Sequence, residues 1–241
     1  MVEFSFVPDD FPKSDRLGQL HEESEAIMKD FGFKYKRELS VLADLVYPHL
    51  TQKSLLLANL FHLGLYTLDD LVDNRQDDES EMPKKLAILE ACKMMFQTGE
   101  CGDDETNIVR FIQTIFSMFS DDVLRQYTEM RFVEYIDAVI EHIHLNNRVI
   151  SVAEYLRIRL GDGACETVWG LDQLDRVDFT PIRDYFITKR GCRIRQLANL
   201  NVSLVNDATT YHRDVRDGSN FNVVICYMNE NDVSKEEAEH A

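Results

Sequence analysis

Residues 65–75 read LYTLDDLVDNR, an apolar run that opens into the carboxylates Asp69, Asp70 and Asp73. On a helix, residues three and four apart are neighbours, so Asp69 and Asp70 both adjoin Asp73 on one face. Ionised carboxylates that close repel and raise one another's pKa unless a cation relieves them. Mg²⁺, a hard ion that takes oxygen ligands and shares them with substrate phosphates, suits such a face. The plain alternative is a solvated acidic helix end. Working outward, apolar residues recur at helical spacing on both sides, which predicts helices at 16–30, 34–46, 52–75, 82–97, 105–119, 121–147, 151–160, 164–173, 181–214 and 219–229. No internal repeat and no sustained strand alternation interrupts them, so the expected class is all-α.

Composition sets limits on partners. The chain has 241 residues, 44% of them hydrophobic, enough for one substantial core and hence one domain over 1–241. Its 10 Gly and 5 Pro do not gather into a linker. With 43 acidic against 26 basic residues the net charge is -17, a surface that repels nucleic acid and anionic membranes. An anionic substrate would then need a divalent metal and locally placed arginines. Cys92, Cys101, Cys165, Cys192 and Cys226 are scattered without zinc spacing, which points to free thiols in a reducing compartment. The opening MVEFSFVPDDFPKSD is no signal peptide, and no segment reaches the roughly 18 apolar residues of a membrane span, so a cytoplasmic location is expected. The acidic stretches QDDESE (76–81) and CGDDET (101–106) read as solvated loops. Ser234 to Glu237 carry a capping-box pattern that announces a helix shortly before Ala241, as if the chain were a shortened form of something longer.

A second constellation lies in NDATTYHRD, residues 206–214. Asn206, Thr210 and Asp214 stand at i, i+4 and i+8, one stripe of the expected helix 181–214 spanning about 12 Å. Amide oxygen, hydroxyl and carboxylate make a mixed oxygen set suited to a Mg²⁺ that keeps other positions for diphosphate oxygens. Leu200, Val202, Leu204 and Val205 just before it describe a mostly buried helix. A third element is Arg159, Asp162 and Gly163, an R-x-x-D-G spacing within YLRIRLGDGACETVW. Arginine offers a fork of donors for phosphate oxygens, and a glycine in a helical pattern frees a carbonyl.

DDLVD at 69–73 together with NDATTYHRD resembles the paired metal motifs of the class I terpene synthases, in their microbial form, over roughly residues 40–230. The resemblance implies a helical bundle around a central cavity, here shortened at its C-terminus by two or three helices and lacking a late Arg-Tyr pair. It implies an isoprenyl diphosphate substrate (geranyl, farnesyl or geranylgeranyl), ionised to a carbocation that cyclises or rearranges. It implies three Mg²⁺, with Mn²⁺ as a substitute, two held by Asp69, Asp70 and Asp73 and one by Asn206, Thr210 and Asp214. The family's second motif ends in glutamate where Asp214 stands, with a basic residue before it, here Arg213. Arg159 would sense the diphosphate, with Asp162 as linker and the Gly163 carbonyl as effector, while Arg195 and Arg213 are further phosphate candidates. Aromatic rings can stabilise a cation by about 0.5–2 kcal/mol each, and Tyr66 and Phe61, one and two turns before the acidic pair, are candidates, with Trp169 and Phe132 more remote. A homodimer is a further expectation. A chain-elongating prenyltransferase would carry a second DDxxD where NDATT stands, and a helical relative without activity is the other alternative. His142 and His144, two apart, point to different helix faces and make no zinc site; His62 reads as a packed histidine.

Overall fold

The computed structural model describes residues 15–72, 81–99, 106–145, 147–176 and 178–239, and among them every regular element is helical. The all-α expectation is met. The chain divides into two compact packing units, residues 1–126 with 170–179 and residues 127–169 with 180–241. No helix among the described residues is long and apolar enough to cross a membrane.

The first unit is built on α3 (Gln52–Val72), which packs against α1 (Leu17–Asp30), α2 (Arg37–Val46) and α5 (Asn107–Ser117), while α4 (Met82–Thr98) lies on α5. Because neighbours surround α3, its apolar residues are buried on several faces: Leu55, Leu57, Leu60, Phe61, Leu63 and Leu68 are each under 5% exposed. Each such side chain contributes about 1.5–3 kcal/mol by leaving water. A polar residue in that setting needs partners. Asn59, wholly buried, donates to Ser24 Oγ of α1 (2.7 Å) and Ser40 Oγ of α2 (2.8 Å), stitching three helices together. Asp175 caps the start of α3, accepting from the Thr51 amide and from the hydroxyls of Thr51 (3.0 Å) and Ser54 (2.6 Å).

The second unit takes most of α6 (Asp122–His144), then α7 (Val152–Asp162), α8 (Cys165–Val168), α9 (Thr180–Phe186), α10 (Lys189–Arg216), α11 (Val223–Asn231) and α12 (Lys235–Glu239). Its apolar cluster centres on Ile150, Tyr155 and Cys226, with Leu156, Phe221 and Val223 packed against them. α12 shows the capping box the sequence announced: the Glu237 amide donates to Ser234 Oγ and the Ser234 amide to Glu237 Oε2.

Three expectations need correction. The helix expected at 181–214 is broken, because Thr188 leaves the helical region (φ -67°, ψ 155°) and caps α10 by accepting from the Gly191 amide. The segment expected at 164–173 splits into α8 and a 3₁₀ turn at Leu171–Gln173. The third concerns which face of α10 is inside. Val202, Leu204 and Val205 are 55%, 37% and 57% exposed, and the buried stripe is Gly191, Arg195, Asn199, Ser203, Asp207, Tyr211 and Asp214. The polar side chains turn inward because α10 is bound to its neighbours chiefly by hydrogen bonds and ion pairs. Asn199 donates to the Leu160 carbonyl of α7 (2.6 Å), and Arg195 pairs with Glu166 of α8.

Candidate functional site

In the first unit, Asp69 and Asp70 occupy the last described turn of α3, both exposed; Asp73 lies outside the described residues. Asp70 is paired with Lys36 Nζ at 2.5 Å, and that ammonium also sits 5.6 Å from the centre of the Tyr66 ring. The carboxylate therefore already attracts a cation. Lys36, from the segment before α2, carries no motif that sequence reading could have used. Tyr66 is 42% exposed, as a ring one turn before Asp70 on the same face should be. Phe61 is placed elsewhere: it is 2% exposed and packs edge-to-face on Phe116 at 5.6 Å, a core position. His62 shares a 3.0 Å hydrogen bond with the Tyr47 hydroxyl, and burial pushes its imidazole down to about 4, so it is neutral at physiological pH.

In the second unit, Arg159 and Asp162 of α7 meet Asn206 and Asp207 of α10, and Asn222 links Asp207 to Asp214, which also takes the Thr210 hydroxyl. Arg159 donates from one terminal nitrogen to Asp162 Oδ1 at 2.8 Å, and from the other to Asn206 Oδ1 and Asp207 Oδ1, both at 3.4 Å. Its Nε is buried without a hydrogen-bond partner among the described residues. The guanidinium is thus anchored at one end and held loosely at the other, with donor capacity left for an anion. Burial works against its charge, but Asp162, Tyr155 and Asp207 outweigh burial and hold the proton firmly. Asp162, its side chain 5% exposed, would be pushed up by burial, yet the bonds from His142 and Arg159 keep its carboxyl below the ordinary range.

Asp214 Oδ2 accepts from Thr210 Oγ1 (2.7 Å) and Asn222 Nδ2 (2.9 Å), while Arg213 approaches Oδ1 at 3.3 Å. These bonds fit a Mg²⁺ ligand set. Thr210 gives its proton to Asp214 and so keeps its lone pairs for an ion, Asn206 Oδ1 accepts one long bond, from Arg159, and all three groups are hard oxygen donors. Arg213, 45% exposed in its side chain, lies beside this set. Arg195 is 2% exposed, paired with Glu166, bonded to the Phe186 carbonyl and placed over the Phe186 ring.

Gly163 stands at the C-cap of α7. Its φ is an ordinary -65°, and the left-handed residue is the next one, Ala164 (φ 56°). What Gly163 supplies is room, since a Cβ there would stand 3.0 Å from Ser203 Oγ and 3.1 Å from Asn199 Oδ1 on α10.

Two groups escaped the sequence reading. Asp207, 3% exposed, accepts from the Tyr155 hydroxyl, the Val223 amide (2.8 Å) and Arg159, and so ties α7, α10 and the start of α11 together. Burial pushes its carboxyl up against the pull of Arg159 and Tyr155. The available signal was a small or polar residue every fourth position from Gly191 through Asp207. The other group is His142, whose Nδ1 lies 2.8 Å from Asp162 Oδ2.

Comparison with known proteins gives consistent results. The profile of "Terpene synthase family 2, C-terminal metal binding" matches residues 61–241. Terpene synthase 4 of Physarum polycephalum is 22% identical over 192 residues, 72% of this chain and 55% of that protein, so the chain spans about half that relative's length. The linalool/nerolidol synthase of Streptomyces clavuligerus, solved with 2-fluorogeranyl diphosphate, superimposes with a TM-score of 0.77 at 17% identity, covering 94% of this chain and 81% of that one. An α-eudesmol synthase structure superimposes with a TM-score of 0.79 at 15% identity, over 97% and 79% of the respective chains.

Proposed function

The chain belongs to the terpene synthase family, and from that premise we propose that it is a Mg²⁺-dependent terpene synthase that ionises an isoprenyl diphosphate. The observation that carries the reading is the meeting of α7 and α10, where a half-committed arginine bonds the Asn206 amide, and the Thr210 hydroxyl and Asp214 carboxylate follow one and two turns along the same helix. A divalent ion bound there would neutralise the diphosphate as charge develops on it.

The chain's own residues have separate tasks. Asn206, Thr210 and Asp214 present oxygens from one helix face, and Asp69 and Asp70 do so from α3. Arg159 keeps one terminal nitrogen on Asp162 and exchanges its two long bonds for phosphate oxygens, where charge-assisted bonds are shorter and stronger. Arg213 adds positive charge beside Asp214. Tyr66, 42% exposed, offers an aromatic ring, and the family's carbocation chemistry requires such rings together with exclusion of water. The NDATT segment in place of a second DDxxD favours synthase over chain elongation.

Incubation with Mg²⁺ and geranyl, farnesyl or geranylgeranyl diphosphate should release diphosphate and yield a hydrocarbon or alcohol. Asp70→Asn and Asn206→Ala should each lower that turnover by about 100-fold or more. Full turnover in either variant would refute the ligand assignment, and no release from any of the three substrates would leave the chain as an inactive relative.

A further inference from the structure

His142 is 20 positions from Asp162 in sequence, yet its Nδ1 makes a 2.8 Å hydrogen bond to Asp162 Oδ2. The bond follows from the packing of α6 on α7. At Gly161 an added Cβ would stand 2.5 Å from the Ala138 Cβ, so the two backbones meet where neither helix carries bulk. One turn further along α6 from Ala138 is His142, and the residue after Gly161 is Asp162. The imidazole is fixed from its other side by a stack on Phe221, with ring centroids 3.7 Å apart and planes inclined by 25°. Phe221 in turn leans on Tyr155 at 4.8 Å.

Asp162 thus has both oxygens assigned: Oδ2 to His142 and Oδ1 to Arg159. A buried carboxylate held at one oxygen alone can rotate, and the arginine bonded to it would follow. Held at both, it is a fixed post from which Arg159 can release Asn206 and Asp207 and turn to an incoming anion.

We propose that His142 is a positioning residue for diphosphate capture, acting through Asp162 on the free end of Arg159. The inference rests on the reading of Arg159 as a diphosphate contact. It adds a residue that neither metal-type motif contains and that lies on a different helix from both.

The test is binding of inorganic diphosphate in MgCl₂ by calorimetry to the full chain, with Tm recorded for each variant. Arg159→Gln should weaken binding and tests the underlying reading by itself. His142→Phe keeps the stack on Phe221 and removes the donor; it should weaken diphosphate binding about tenfold or more, the usual consequence of losing a supporting hydrogen bond behind a binding group. His142→Asn carries an amide near the position of the lost Nδ1 and should return affinity to within about twofold of wild type. His142→Gln, whose amide reaches past Asp162, should not, and this pair decides the matter if the Phe variant fails to fold. Loss in Arg159→Gln with wild-type binding in His142→Phe would overturn the role of His142 alone. Equal weakening in the Asn and Gln variants would overturn it too, because the bond to Asp162 would then not be what the residue supplies. Wild-type affinity in Arg159→Gln would instead overturn the reading of Arg159.

Discussion

Asp70 is paired with a neighbour the motif does not contain. Lys36 holds it at 2.5 Å, but the carboxylate is 58% exposed, and a pair so open to water is worth less than about 1 kcal/mol. The ammonium occupies ground that a divalent ion would need. If Asp70 is a metal ligand, Lys36→Met should lower the half-saturating Mg²⁺ concentration for diphosphate release by up to about fivefold. A rise in that concentration would show that Lys36 assists binding of the anion instead of competing with the metal. Asp214 differs from Asp70, because its Oδ2 is satisfied by Thr210 and Asn222 without any metal. The shorter side chain at this position is therefore no orphan: Asn222, which also donates to the Asp207 carbonyl, holds the carboxylate against α10.

Among elements, α6 and α7 of the second unit approach closely at Gly161 and Ala138. Gly161→Ala places a methyl 2.5 Å from the Ala138 Cβ, and overpacking of this kind costs about 1–3 kcal/mol. The variant should lose stability in a thermal melt, and Ala138→Gly in the same chain should restore most of the loss; a double variant no more stable than Gly161→Ala would mean that the helices are not held by this contact. Such contacts also mark what the sequence could disclose. The pairs Arg159–Asp162 and Thr210–Asp214 and the Ser234 capping box lie three or four residues apart, so helical periodicity alone brings them together. The break at Thr188 is a weaker signal, since one threonine in a run of helix formers announces an N-cap only after the geometry is known. The inverted α10 was hidden for a physical reason. Reading apolar residues as inside assumes that burial is driven by transfer from water, whereas this helix is bound by Arg195, Asn199 and Asp207 through partners on α7, α8 and α11. His142 was hidden because its partner is on another helix.

At the scale of the whole molecule, the response to acid follows from which groups change their proton affinity on folding. His62 has an ordinary value of 6.5 and falls to about 4 when buried beside Tyr47, so between these values the unfolded chain takes up the proton first. Its contribution to stability is complete above pH 6.5 and is lost as the pH falls toward 4. Integrated from pH 7 to pH 5, that one group removes about 2 kcal/mol, or roughly 4–8 °C of Tm in a domain of this size. His21, shifted down by burial and by Arg37, acts in the same sense. Asp162 and Asp175, held below their ordinary 3.8, also stabilise the fold at neutral pH, but they lose that effect only in stronger acid. Asp207 opposes them, because burial raises its carboxyl and protonation relieves it. The acid slope above pH 5 should therefore belong mainly to the histidines. His62→Gln keeps an amide for the Tyr47 hydroxyl and cannot take up the proton, so its Tm should fall less than that of wild type between pH 7 and pH 5. Parallel Tm curves for the two proteins over that interval would show that the His62 imidazole is solvated in the folded chain and carries no such penalty.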